Sequence, residues 1–145
     1  MNDHAVIAIA RQEQKALKEF LEVLQDERDA IISFSLEGII RQNNRKEQIL
    51  KKLEFLKSEK DRLIESMTDK EDFLQSRAWR SLVPELEHAL EEVKSAVKKN
   101  MRLLSFSIDH VKSSIEHIVG FINGSSSPAY GKKQEQASIL LSKVI

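Results

Sequence analysis

Three long stretches of this chain contain neither glycine nor proline, and no other feature limits its fold more. They are residues 1–37, 39–83 and 85–119. All three are rich in Glu, Lys, Leu, Ala, Gln and Arg, the residues that favour helices most. A sheet needs tight turns, and the chain of 145 residues has only four glycines and two prolines. The sequence therefore predicts an all-α domain.

Apolar residues recur at spacings of three and four in each stretch, as expected for helices that bury one face. Glu13 and Glu27 interrupt the apolar stripe of the first stretch, and Lys60 that of the second. A heptad-like seam runs through the third stretch and just beyond it, with one extra four-residue step near Met101 that locally unwinds a supercoil. The members of this seam are Leu86, Leu90, Val93, Val97, Met101, Leu104, Ile108, Val111, Ile115, Ile118 and Ile122.

Capping residues divide residues 1–123 into helices of about 3–33, 36–67 and 82–123, with a connection at 68–81. In Ser33-Phe34-Ser35 either serine can cap the second helix. Pro84 is expected in the first turn of the third helix, where a missing N–H costs nothing. The connection is either a short helix or an ordered loop. Short links make successive helices antiparallel, so we expect an elongated, coiled-coil-like three-helix bundle.

The last 22 residues, 124–145, differ from the rest of the chain. Residues 124–128 read Gly-Ser-Ser-Ser-Pro, which is typical of a flexible linker. Residues 139–145 then carry five large apolar side chains in seven positions. This segment either folds back onto the bundle or docks with a partner, and the sequence leaves both alternatives open.

The sequence lacks the residues that the chemistry of most function classes requires. Without cysteine there is no thiol nucleophile, and neither a Gly-rich phosphate loop nor a G-x-S-x-G turn is present. We expect no enzyme activity, no cofactor and no metal site. Balanced charge, with 23 basic and 23 acidic residues, argues against nucleic acid as a partner. No apolar run is long enough to span a bilayer, so no membrane insertion and a cytoplasmic location are expected.

One histidine has neighbours similar to those of a phosphate-relay histidine. His110 is followed by Val-Lys-Ser-Ser, whereas relay histidines have the lysine one position later and a glycine after it. The alternative is a solvated helix histidine beside Asp109, and that reading is favoured here.

The third helix is expected to be the longest, so its last ten or so residues should extend about 15 Å beyond the bundle. A second stripe runs beside the seam through Leu103, Phe106, His110, His117 and Phe121. This end therefore has more apolar surface than two neighbouring helices need, which usually marks a partner site. Another helix is the expected partner. The alternatives are self-association into a homodimer and coverage by residues 139–145.

Several runs, in this order and spacing, resemble the FlgN-type flagellar export chaperones. They are Leu21–Ile31, then Arg45–Leu50 continuing to Asp61–Ile64, then Lys99–Leu104 with its N-x-x-L-L step. Tyr130-Gly131 after the linker is similar to the Tyr-Gly of that family, although Lys-Lys-Gln follows where the family often has a second glycine.

The resemblance implies a cytoplasmic chaperone for the C-terminal helices of flagellar hook–filament junction proteins. Such a chaperone keeps its client from assembling and delivers it to the flagellar export gate. Tyr130 is the candidate gate contact by this resemblance. A coiled-coil scaffold or oligomeric adaptor without a client is the alternative. The remaining candidate partner-binding residues are Leu103, Phe106, Val111, Ile115, Ile118, Phe121, Ile122, Ile139, Leu140, Leu141 and Val144.

The sequence also indicates one contact inside the bundle. Glu27 and Lys46 each interrupt an apolar stripe, on helices that should be neighbours. A partly buried ion pair between them would set the register of the two helices.

Overall fold

The computed structural model describes residues 2–123, and nearly all of them are helical. Helix α1 spans Asn2–Ile32, α2 spans Leu36–Glu65, α3 spans Lys70–Gln75 and α4 spans Arg77–Asn123. The predicted all-α class is confirmed. Within the described residues there are four helices rather than three, because the connection after α2 contains the short helix α3.

Helix α1 lies between α2 and α4 and packs against both, whereas α2 and α4 have few contacts with each other. Two ion pairs show how α1 and α2 run. The Lys60 ammonium lies 2.8 Å from the Glu13 carboxylate, and the Arg45 guanidinium lies 3.0 Å from the Asp26 carboxylate. Early residues of α1 thus pair with late residues of α2, so these two helices are antiparallel.

Helix α4 runs parallel to α1. Arg11 of α1 pairs with Glu85 near the start of α4 at 2.7 Å. Further along both helices, the Asn100 side-chain amide donates to the Leu24 carbonyl at 2.8 Å. The chain therefore runs up along α1, down along α2 and up again along α4.

The core consists of three apolar clusters along α1. The cluster near the start of α1 also contains residues from the α2–α3 region, the middle cluster draws on α1, α2 and α4, and the last lies beside the α1–α2 turn. Their buried members are Val6, Met67 and Phe73, then Leu17, Phe20, Leu24 and Val93, then Ala30, Ile31, Ile39 and Leu104.

Helix α4 begins earlier than the predicted residue 82, and the placement of Pro84 in its first turn is wrong. Pro84 lies inside the helix, where it has no N–H to donate to the preceding turn. Two contacts favour the start of α4 at Arg77. The Ser76 hydroxyl accepts from the Trp79 backbone N–H at 3.3 Å, and the Trp79 ring lies 5.2 Å from the Phe73 ring. Burial of Leu82 then holds the segment around the proline against the core.

The α1–α2 turn contains a backbone conformation that the sequence did not reveal. Phe34 has a φ of 55°. Its N–H donates to the Ile31 carbonyl and the Ser35 N–H to the Ala30 carbonyl, the hydrogen-bond pattern of a Schellman cap, which usually has glycine at this position. A bulky residue there costs about 1–2 kcal/mol. Ser35, one of the two expected caps, accepts from the Gly38 N–H at 3.1 Å.

Gly38 allows α2 to start close against α1, and its replacement should be costly. A Cβ atom at this position would lie 2.9 Å from the Ala30 Cβ and 2.9 Å from the Ser35 Oγ. We therefore expect Gly38→Ala to lower the free energy of unfolding by about 1–3 kcal/mol, measured by denaturant titration. Gly120→Ala is the matched control, because a Cβ there meets no atom within 4 Å. It should leave stability unchanged or raise it by up to about 1 kcal/mol. Equal losses for both variants would contradict the tight contact at Gly38.

Candidate binding surface on α4

Helix α4 continues well beyond its last contact with the core. Leu104 is the last buried residue in the described part of the chain, and Ile108 is the last residue packed against a core cluster. Residues 109–123, here called the overhang, contain no buried residue. At 1.5 Å per residue the overhang is about 22 Å long. It exceeds the expected 15 Å, and none of its residues belongs to a core cluster within residues 2–123.

The core-facing stripe of α4 runs on along the overhang. Leu104 packs against α1 and α2, and residues 7, 11, 14 and 18 positions later lie within about 40° of the same helix face. These residues form the overhang seam, which consists of Val111, Ile115, Ile118 and Ile122. Ile115 is half-buried and the other three are exposed. The overhang seam thus faces the space beyond the α1–α2 turn.

The second predicted stripe is divided between two environments. Leu103 packs against the core cluster beside the turn, so much of its side chain is already covered. Phe106 is exposed and lies on the face of α4 turned away from α1. Phe121 is 89% exposed, near the end of the overhang. Of these three predicted binding residues, only Phe121 lies on the overhang, where it flanks the seam.

Five predicted partner-binding residues lie outside the described residues. They are Tyr130, Ile139, Leu140, Leu141 and Val144.

A second apolar surface, which sequence reasoning missed, lies at the α1–α2 turn. This turn patch consists of the exposed side chains of Ile32, Phe34, Leu36 and Ile40. It adjoins the base of the overhang, because Ile39 and Ile31 of the same segment pack against Leu104. Within residues 2–123, nine of the twelve exposed large apolar side chains belong to this end of the molecule; the others are Leu50, Phe55 and Leu90. Such a concentration is typical of a protein-binding surface.

A buried polar cluster of Glu27, Lys46 and Asn100 lies one turn before Leu104 and fixes the base of α4. The Lys46 ammonium forms an ion pair with the Glu27 carboxylate, and both side chains are buried. The Asn100 amide donates to the other Glu27 oxygen at 2.9 Å and to the Leu24 carbonyl at 2.8 Å. The predicted Glu27–Lys46 pair is confirmed, and Asn100 adds a contact from α4 that ties all three long helices together.

Comparison with known protein families found a match. The family model described as FlgN protein matches residues 1–138 of the chain. The chain belongs to the FlgN family. The predicted resemblance is therefore confirmed, and the family assigns the chain to the flagellar export chaperones, which bind flagellar export substrates. No curated protein matches the chain significantly, and neither does any solved structure.

The FlgN family is a family of chaperones and is not known for enzymes. In this member, His110 is an exposed helix residue whose backbone carbonyl accepts from the Ser114 hydroxyl. His88 forms a surface contact of 2.6 Å with Glu92 one turn away. Among the described residues, no three His, Asp or Glu side chains converge in a way that could hold a metal ion. None of the helices within residues 2–123 has the length and apolar character needed to cross a membrane.

Proposed function

We propose that this FlgN-family chaperone holds the C-terminal helical segment of a hook–filament junction protein on the overhang seam. The observation that supports this proposal is that the stripe that packs into the core at Leu104 continues through Ile122, and within residues 2–123 none of its members after Leu104 is buried. In this described part of the chain, a surface that suits helix packing is thus exposed at one end. An amphipathic helix with apolar residues at i, i+3, i+4 and i+7 fits such a surface.

The chemistry of the overhang suits a helical client of varied sequence. In heptad terms the overhang seam alternates Ile115 and Ile122 with Val111 and Ile118, all β-branched. The overhang positions that usually carry charges to select a partner hold Ser114, Val119 and Phe121, with Lys112 as their one charged residue. A flank with so little charge imposes little charge selection, so burial of apolar surface would provide most of the binding energy.

Holding the client in this way would cover the apolar face through which it later assembles. A client segment that later associates with copies of itself is apolar and unfolded before export. Binding to the chaperone would order it. We further propose that the chaperone works in the cytoplasm, that Ile139, Leu140, Leu141 and Val144 add contacts to the client, and that Tyr130 contacts the export gate.

Calorimetric titration with the C-terminal segment of a hook–filament junction protein from the same genome tests the proposal. We expect tight one-to-one binding by the full chain, and affinity lower by about tenfold or more for a chain that ends at Asn123, because the tail contacts are lost. Absence of binding, with a stable dimer on a sizing column, would contradict the proposal and favour the coiled-coil scaffold. Equal client affinity of the full chain and the chain that ends at Asn123 would show that residues 124–145 are not part of the site.

A further inference from the structure

Phe34 combines two properties that rarely occur together. It occupies a left-handed position where glycine is usual, and its side chain is 61% exposed. The surrounding turn needs only the backbone conformation of Phe34, since the hydrogen bonds that Phe34 itself makes there use its backbone N–H, and the side-chain bonds of the turn come from Ser33 and Ser35. Glycine or asparagine would make the same turn with less strain. Backbone strain of this kind tends to persist where the side chain has a function.

The position of the turn relative to the overhang indicates what that function is. Leu104 belongs to the same core cluster as Ile31 and Ile39, which lie at the ends of α1 and α2 on either side of the turn. The overhang seam has the same angular position on α4 as Leu104. A helix laid on the seam would therefore lie in line with the α1–α2 pair, and its end would meet the turn patch.

We propose that the turn patch, with Phe34 at its centre, is a second contact surface for the client helix that lies on the overhang. This inference rests on the proposed function and extends the client site from one helix to two elements. The client is the favoured occupant because the turn and the base of the overhang share one core cluster, which contains Ile31, Ile39 and Leu104, so a helix that lies on the overhang seam ends beside the turn patch. The turn patch binds an apolar side chain near the end of the client helix.

Titration of a Phe34→Asn variant of the full chain with the same client segment tests this inference. Asparagine tolerates the left-handed conformation, so the turn should keep its geometry and the thermal midpoint should stay equal or rise by a few degrees. Client affinity should fall about tenfold, since an aromatic contact is lost. The matched control is Phe55→Asn, which removes a phenylalanine of similar exposure, 63%, from α2 and should leave client affinity unchanged.

Three results would overturn the inference. Unchanged affinity of Phe34→Asn would exclude the turn from the client site, and a marked fall in its thermal midpoint would show that Phe34 serves the fold. Tighter client binding by the variant would show that the turn holds a competing segment, such as residues 139–145 or a second copy of the chain. If the unaltered chain bound no client at all, the proposed function itself would have failed, which distinguishes the two failures.

Discussion

Replacing Lys46 by methionine should lower the free energy of unfolding by about 3–5 kcal/mol. Lys46 faces the buried Glu27 carboxylate, and both side chains are almost inaccessible to solvent. Methionine has a similar length but no charge, so the carboxylate would remain buried with Asn100 as its hydrogen-bond donor. Removing one partner of a buried ion pair leaves a desolvated charge, which is why the loss is large. Urea denaturation followed by far-ultraviolet circular dichroism measures the change.

The neighbouring residue provides a matched control. Arg45 forms an ion pair with Asp26 across the same two helices, but both side chains are about half exposed. The Arg45 guanidinium also donates to the Gln42 side chain one turn away. Arg45→Met should therefore lower stability by about 1 kcal/mol, the sum of a weak exposed ion pair and one part-buried hydrogen bond. The double replacement Glu27→Met with Lys46→Met should be more stable than Lys46→Met alone, because no unpaired charge is buried. A loss for Lys46→Met as small as that for Arg45→Met would contradict the buried position of the pair.

The polar cluster shows what sequence patterns predict and what they miss. Glu27 and Lys46 were recognisable because each occupies a position where the apolar period requires a hydrophobic residue. Asn100 was not recognised, because the seam was traced through apolar residues alone and so passed through Met101. In the structure Asn100 is buried and Met101 only half-buried. An asparagine satisfied by a carboxylate and a carbonyl can replace an apolar residue in the seam, which the apolar period alone does not show.

Local backbone geometry limited the other predictions. A proline is usual in a first turn, so Pro84 suggested a late start for α4. The actual start depends on the contact between Phe73 and Trp79, which no local pattern reveals. Likewise, the left-handed conformation of Phe34 could not be expected of a phenylalanine, so the turn patch went unrecognised. The overhang was predictable, since it follows from helix lengths, which long stretches without glycine or proline determine.

A charged residue in the overhang seam should abolish most client binding while leaving the fold intact. Ile118 is the natural position, because it is exposed and lies in the middle of the overhang. We expect Ile118→Asp to weaken client binding about a hundredfold, which corresponds to about 3 kcal/mol, since the carboxylate would be buried against apolar side chains without a partner. Stability should change by less than about 0.5 kcal/mol, because Ile118 contacts no core cluster in the described residues.

Leu50→Asp provides the matched control for this variant. Leu50 is an aliphatic residue of comparable exposure, 47% against 56% for Ile118, and lies on α2 away from the overhang. The change introduces the same charge on a helix surface, so any general effect of the charge on solubility or on the client would appear in both variants. Because both variants replace an exposed aliphatic side chain by the same charge at different places, the comparison reports where the client binds.

The measurement that tests the central claim most directly is the titration of these two variants with the client segment, beside the unaltered chain. The account predicts that Ile118→Asp loses about two orders of magnitude in affinity and that Leu50→Asp binds like the unaltered chain. Client binding by Ile118→Asp at undiminished affinity would contradict the account, because the overhang seam would then not be where the client lies.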